Sequence, residues 1–149
     1  LTELPPGDVR ITVTAVDKAG NRTVSYEDRH IDIVRVDITW AAMEFTFADG
    51  TWDAASHTYA GNGWHPDKAD GNKITVRNSG DVSVSVSYRY TPTNDAVSGG
   101  FTDGDTAVTA PIALPANAEK SVRLILDGTP TRSLDKAVLG TVTVEIGGD

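Results

Sequence analysis

The sequence predicts an all-β protein, a β-hairpin followed by a β-sandwich, and three observations carry that prediction. Apolar and polar residues alternate with period two along most of the chain, the signature of strands with one buried face. Glycine, asparagine, aspartate and proline punctuate the runs as "DKAGN", "ADG", "GNG", "NSGD", "TPTND", "DGD" and "LDGTP", which is turn chemistry. No stretch sustains a helical period, and "SLDKAVLG" has room for about one turn.

The first strand places Val9, Ile11, Val13 and Ala15 on one face and Arg10, Thr12 and Thr14 on the other. "DKAGN" reverses the chain and "RTVSYEDRHIDI" returns, so residues 8 to 33 read as a hairpin. The alternation then changes phase. Ile31 and Ile33 share one register, whereas Val34, Val36, Ile38 and Trp40 share the other. A one-residue slip sends side chains to the opposite face, so it marks a bulge or a boundary. Taken as a boundary, it divides the chain into residues 1–33 and 34–149.

Beyond it the expected strands are "VRVDITW", "MEFTF", a short one over Thr51 to Asp53, another over His57 to Ala60, "KITVRN", "VSVSVSYRY", "SVRLILD" and "GTVTVEI". Short strands at close spacing with turn signals between them predict a sandwich over residues 34–149. Within "VSVSVSYRY", Val82, Val84, Val86, Tyr88 and Tyr90 point inward and the serines outward.

Composition narrows the function classes. The 149 residues are 39% hydrophobic, enough for one good core, with no apolar run near the ~20 residues of a membrane span. Membrane insertion is not expected. Formal charge is −8, from 21 acids against 13 bases, and no dense basic cluster offers nucleic acid an electrostatic footprint. The absence of cysteine excludes disulfides, thiolate zinc sites and thiol catalysis together. The opening "LTELPPGDVR" has neither the basic start nor the apolar stretch of a secretory signal, so a piece of a longer protein is expected.

The stretch "LPPGDVRITVTAVDKAGNRTVSY" resembles the last two strands of a bacterial immunoglobulin-like repeat, an alternating strand that ends in A-x-D-x-A-G-N before a returning strand. The matching residues are Gly7, Val9, Ile11, Val13, Ala15, Asp17, Ala19, Gly20 and Asn21. Residues 34–149, with "ITVRNSGDVSVSVSY", "LPANAEKSVRLILDG" and "GTVTVEI", are similar to sandwich modules of large bacterial cell-surface proteins. The resemblance implies an immunoglobulin-like β-sandwich at a bacterial cell surface or secreted from it. The resemblance also implies a module that spaces and presents neighbouring domains of its parent chain; a monomer without catalysis or cofactor is expected.

The candidate chemistry is sparse. His30, His57 and His65 are the only histidines, and no G-x-S-x-G elbow accompanies them, so no catalytic residue is assigned. His57 and His65 with Asp49, Asp53 or Asp67 match no zinc spacing. Asp67, Asp70, Asp103 and Asp105 could offer oxygens to calcium, but Asp-Gly pairs are what turns use, so no metal site is assigned. A Lys-to-Asn isopeptide crosslink, of the kind that stiffens some adhesin sandwiches, is not expected. Lys73 points outward beside Ile74, and the last strand holds no asparagine.

The stretch "DGTWDAASHTYAGNGWHP" concentrates aromatic residues. Trp52, Tyr59 and Trp64 could stack on sugar rings, with Asp53, His57 and His65 supplying hydrogen bonds; this is the alternative reading, a carbohydrate-binding module with a glycan partner. The expectation placed first is that Trp52 and Trp64, each just after a glycine turn, are packed anchors that bury their rings.

Overall fold

The computed structural model describes residues 7–93 and 96–148. Positions 1–6 of the first predicted unit and positions 94 and 95 of the "TPTND" turn lie outside the described residues. Among the described residues the chain forms strands and turns and no helix. None of its elements is a helix long and apolar enough to cross a membrane.

The predicted hairpin is present. β1 (Gly7–Val16) and β2 (Arg22–Ile31) pair antiparallel from Gly7↔Ile31 to Val16↔Arg22. Asp17 builds the turn. Its carboxylate accepts from the backbone N–H of Ala19 at 2.8 Å and of Asn21 at 2.9 Å, and from Asn21 Nδ2 at 2.8 Å. Those bonds, the Asn21 side chain foremost, hold the Asp17 carboxyl below its usual range. Gly20 supplies the left-handed backbone, at φ 87°. Cross-strand pairing puts the Val9, Ile11, Val13 row on one face and Val24 and Tyr26 on the other, opposite Thr14 and Thr12. Arg10 binds Asp28 through Nε and Nη2 and stacks over the Tyr26 ring.

The next segment is one long antiparallel ribbon. Its outgoing arm is β3 (Val36–Trp40), β4 (Phe45–Ala48) and β5 (Thr51–Asp53); its return arm is β6 (Thr58–Ala60), β7 (Gly63–Pro66) and β8 (Lys73–Asn78). β3 pairs with β8, β4 with β7, and β5 with β6. The β3–β8 register continues past the strands through Ala41 N–H to Lys73 O and Met43 N–H to Gly71 O. Asp67 N–H to Glu44 O then opens the β4–β7 register, so Lys68, Ala69 and Asp70 have no counterpart on the outgoing arm. They are looped out, with Asp70 at φ 58° and its carbonyl accepting from Lys73 N–H, as in a bulge. Phe45↔Pro66 and Thr51↔Ala60 share one register across the interruption at Asp49, Gly50, Gly61 and Asn62.

Six further strands complete the sandwich: β9 (Val84–Pro92), β10 (Ser98–Asp103), β11 (Thr106–Val108), β12 (Ile112–Leu114), β13 (Glu119–Asp127) and β14 (Gly140–Gly148). One sheet runs β11-β10-β13-β8-β3 and the other β12-β9-β14. Their inner faces supply the core: Ile74 and Val76 of β8, Val122, Leu124 and Leu126 of β13, and Phe101 of β10 meet Val84 and Val86 of β9 and Leu114 of β12. Tyr88 and Phe101 bridge the sheets with ring centroids 5.5 Å apart. Alternation along "KITVRN" and "VSVSVSYRY" therefore does what it predicts, burying Ile74, Val76, Val84 and Val86 almost completely.

Candidate functional site

The aromatic stretch folds into the far half of the ribbon, and the structure separates its two tryptophans. Phe47 and Trp64 are directly opposite in the β4–β7 ladder, their rings edge to face at 5.3 Å. Trp64 packs against the core, and its Nε1 donates to Gly128 O at 2.9 Å. Gly128 sits at φ 96°, and a Cβ there would stand 2.1 Å from Ala96 O, so only glycine brings that carbonyl to the indole. Trp64 is the packed anchor the sequence predicts.

Trp52 is not. It pairs across the ribbon with Tyr59, edge to face at 5.2 Å, and the two residues are 52% and 57% exposed. The reason is distance from the core: every residue from Thr51 to Ala60 is exposed, because the ribbon has run past the sandwich by the time it reaches them. The expectation that both tryptophans are anchors is corrected accordingly.

The remaining candidates divide the same way. His57 closes the tip at φ 54° with its ring 6.3 Å from that of Trp52. The Asp53 carboxylate accepts from Ala55 N–H at 2.9 Å, and this backbone bond is the main reason its carboxyl lies below the usual range. Ser56 Oγ and Thr58 Oγ1 share a hydrogen bond of 2.8 Å. Trp52, Asp53, His57 and Tyr59 thus gather at the tip. His65 does not join them, since its Nε2 donates to Gly61 O at 3.1 Å on the ribbon. No lysine or arginine occurs from Phe45 to Pro66, while Asp49 and Asp53 do, so the tip is aromatic and mildly acidic.

The acids weighed for calcium are dispersed. Asp67 accepts from Thr46 Oγ1, Asp70 pairs with Arg123, and Asp103 pairs with Lys120. Among the described residues no three or more histidine, aspartate or glutamate side chains are grouped to hold a metal ion.

A second constellation lies where the hairpin meets the sandwich, and sequence reading did not single it out. His30 Nδ1 is 2.7 Å from Asp8 Oδ1, and its Nε2 is 2.7 Å from Asp81 Oδ2. Asp81 follows β8 in a turn, where its Oδ1 accepts from Ile33 N–H at 2.6 Å and its own N–H donates to Ile33 O. A Cβ on Gly80 would stand 2.1 Å from Ile33 O, so the close approach of linker and turn depends on that glycine. His30 and Asp81 are 51 positions apart, and no local pattern links them; the turn "NSGD" was legible only as a turn.

Compared with protein-family models, with curated proteins and with solved structures, the chain shows no significant match.

Proposed function

We propose that the chain is a non-catalytic β-sandwich module of a bacterial cell-surface or secreted multidomain protein, which holds and presents neighbouring domains. The observation that carries this reading is the joint between hairpin and sandwich. Ser79 N–H to Arg35 O and Asp81 N–H to Ile33 O extend the β3–β8 register back to Ile33, while Ile31 is still paired in β2. Only Asp32 stands between the two ladders, and a one-residue connection clamped on both sides leaves few free dihedrals. A stiff joint is what a spacer needs, because the default between neighbouring units is relative motion.

Strand placement supports the immunoglobulin-like form of the module. With the longer strands lettered in chain order, β3, β8, β13 and β10 stand as A, B, E and D in one sheet, and β9 and β14 as C and F in the other. Constant-type immunoglobulin sandwiches also place A, B, E and D in one sheet and C and F in the other, with a strand G beside F; here, among the described residues, β14 stands at the sheet edge and β12 flanks β9 instead. The test is whether hairpin and sandwich orient as one body, read from residual dipolar couplings of their amides.

The exposed Trp52 and Tyr59 pair favours a second reading, a glycan contact at the ribbon tip. Aromatic rings left this open to water are what sugar rings stack on, and the lack of nearby cations disfavours phosphate or anionic lipid. On a glycan array the parent should bind a neutral oligosaccharide, and Trp52→Ala should abolish the signal while the protein stays folded. A parent that binds nothing, or binding that survives Trp52→Ala, removes this reading.

A further inference from the structure

We infer that Asp8, His30 and Asp81 form a proton-operated latch, which fastens the hairpin to the sandwich while the imidazole is cationic and releases it when the ring is neutral. Both ring nitrogens of His30 face carboxylate oxygens, at 2.7 Å each. An ionised carboxylate only accepts hydrogen bonds, so both nitrogens must donate, and only the imidazolium carries both protons. Loss of either proton turns a lone pair toward a carboxylate oxygen and converts one attraction into repulsion.

The two carboxylates have different tasks. Asp8 lies on β1 beside its cross-strand partner His30, so that bond stays within the hairpin and orients the ring. Asp81 belongs to the turn between β8 and β9, so the Nε2 bond crosses the joint. The same carboxylate holds Ile33 N–H through its other oxygen, which couples the latch to the linker backbone. The other charged side chains of the adjoining segments are Asp32, Arg35 and Asp37 along the linker and β3, Arg77 opposite Asp37 on β8, Arg29 beside His30 with its ion-pair partner Glu27, and Arg10 with Asp28. The last two are ion-paired with each other on the hairpin.

Asp8 first, and Asp81 next, raise the imidazole above its ordinary pKa. The Ile33 N–H is the main cause that holds the Asp81 carboxyl below its own. A raised imidazole contributes fully below its unfolded pKa of about 6.5 and loses that contribution as pH climbs through the folded value. A depressed carboxyl contributes above the ordinary carboxylate range, about 3.9, and fails as pH falls through its folded value. The latch is therefore closed in mildly acid solution and opens on the alkaline side. It rests on the stiff-joint reading for its purpose, and its test separates the two.

The experiment is nuclear magnetic resonance on the full chain from about pH 5 to pH 8.5. It follows the His30 ring and the exchange of the Ile33 amide, corrected for intrinsic base catalysis. His30 should titrate above about 6.5, and protection of Ile33 should fall with the same midpoint. The loss should reach about tenfold for each unit by which docking raises the imidazole pKa, as linkage requires. The Val76 and Val122 amides report that the sandwich stays folded. Asp81→Asn keeps an acceptor for Ile33 N–H but removes the charge, so the His30 midpoint should move down and Ile33 protection should lose its pH dependence. Ile33 protection that is unchanged through the His30 midpoint, or a parent His30 that titrates at its ordinary value, overturns the latch. If hairpin and sandwich move independently at every pH, the stiff joint itself fails; if they move together at every pH, only the latch does.

Discussion

Replacing Trp64 by alanine is expected to lower stability by about 3 to 5 kcal/mol, the usual cost of emptying a large aromatic site, while Trp52→Ala leaves it within roughly 0.5 kcal/mol. The two residues are only twelve positions apart in the sequence, on the same ribbon, and both follow glycine turns. Their surroundings differ. Trp64 loses its contact with the core, its edge-to-face partner Phe47 and its hydrogen bond to Gly128 O. That hydrogen bond also ties the ribbon to the loop after β13, so its loss frees the ribbon base as well as opening a cavity. Trp52 touches Tyr59 and His57 at a tip where every residue is exposed, and little is desolvated there. Denaturant melts of both variants decide the matter. Equal losses would mean that the tip folds back onto the sandwich.

Asn78→Ala should be as damaging, about 3 to 5 kcal/mol, through unpaired polar groups and not through lost apolar area. Asn78 ends β8 with no solvent exposure. Its Nδ2 donates to Val82 O at 2.8 Å and to Leu114 O and Pro115 O at 3.0 Å each, and its Oδ1 accepts from Gly80 N–H at 3.0 Å. Two amide hydrogens thus serve three carbonyls, and one side chain joins the end of β8, the turn that carries Asp81 and the exit of β12. Truncation leaves one N–H and three carbonyls without that partner, at about 1 to 3 kcal/mol for each that stays dry. Asn78→Asp should be worse at neutral pH, since an acceptor-only carboxylate would face three carbonyl oxygens. A melt shift under about 1 kcal/mol for Asn78→Ala would contradict this account of the turn.

Much of the fold was legible because its cause is local. "KITVRN" alternates cleanly and forms β8 with the expected bounds, the short strand expected over Thr51 to Asp53 forms β5, and "DKAGN" contains the carboxylate and glycine that make its turn. β10 was missed because "SGGFTD" has two adjacent glycines where alternation should show. Tertiary packing explains Gly99 but not Gly100, where a Cβ would meet nothing within 4 Å: a Cβ on Gly99, or on Gly140 of β14, would stand 2.5 or 2.4 Å from the Tyr90 ring, so these two positions make room for an aromatic residue of the facing sheet or neighbouring strand. β11 and β12 are three residues each, too short for a period to register, and exist because β10 and β9 offer them a ladder. In β7, "GWHP" presents turn residues in a strand.

The site was legible in composition but not in geometry. Gathering Trp52, Asp53, His57 and Tyr59 needed only the short spacing of a hairpin tip. Excluding Trp64 and His65 required knowing where the ribbon leaves the sheet, which the looped-out Lys68, Ala69 and Asp70 and the hold of Trp64 on Gly128 decide. Asn78 and Asp81 read as turn residues, and they are; that one is a buried hub and the other a link to His30 depends on strands distant in sequence.

Hairpin and sandwich are proposed to form one stiff unit joined through Ile33 and Asp81. Residual dipolar couplings, measured near pH 5.5 in one alignment medium, test it most directly. A single alignment tensor should fit the amides of β1 and β2 together with those of β8, β9 and β13. Couplings in the hairpin that are scaled down, or that require a tensor of their own while the sandwich keeps its full values, would contradict the claim.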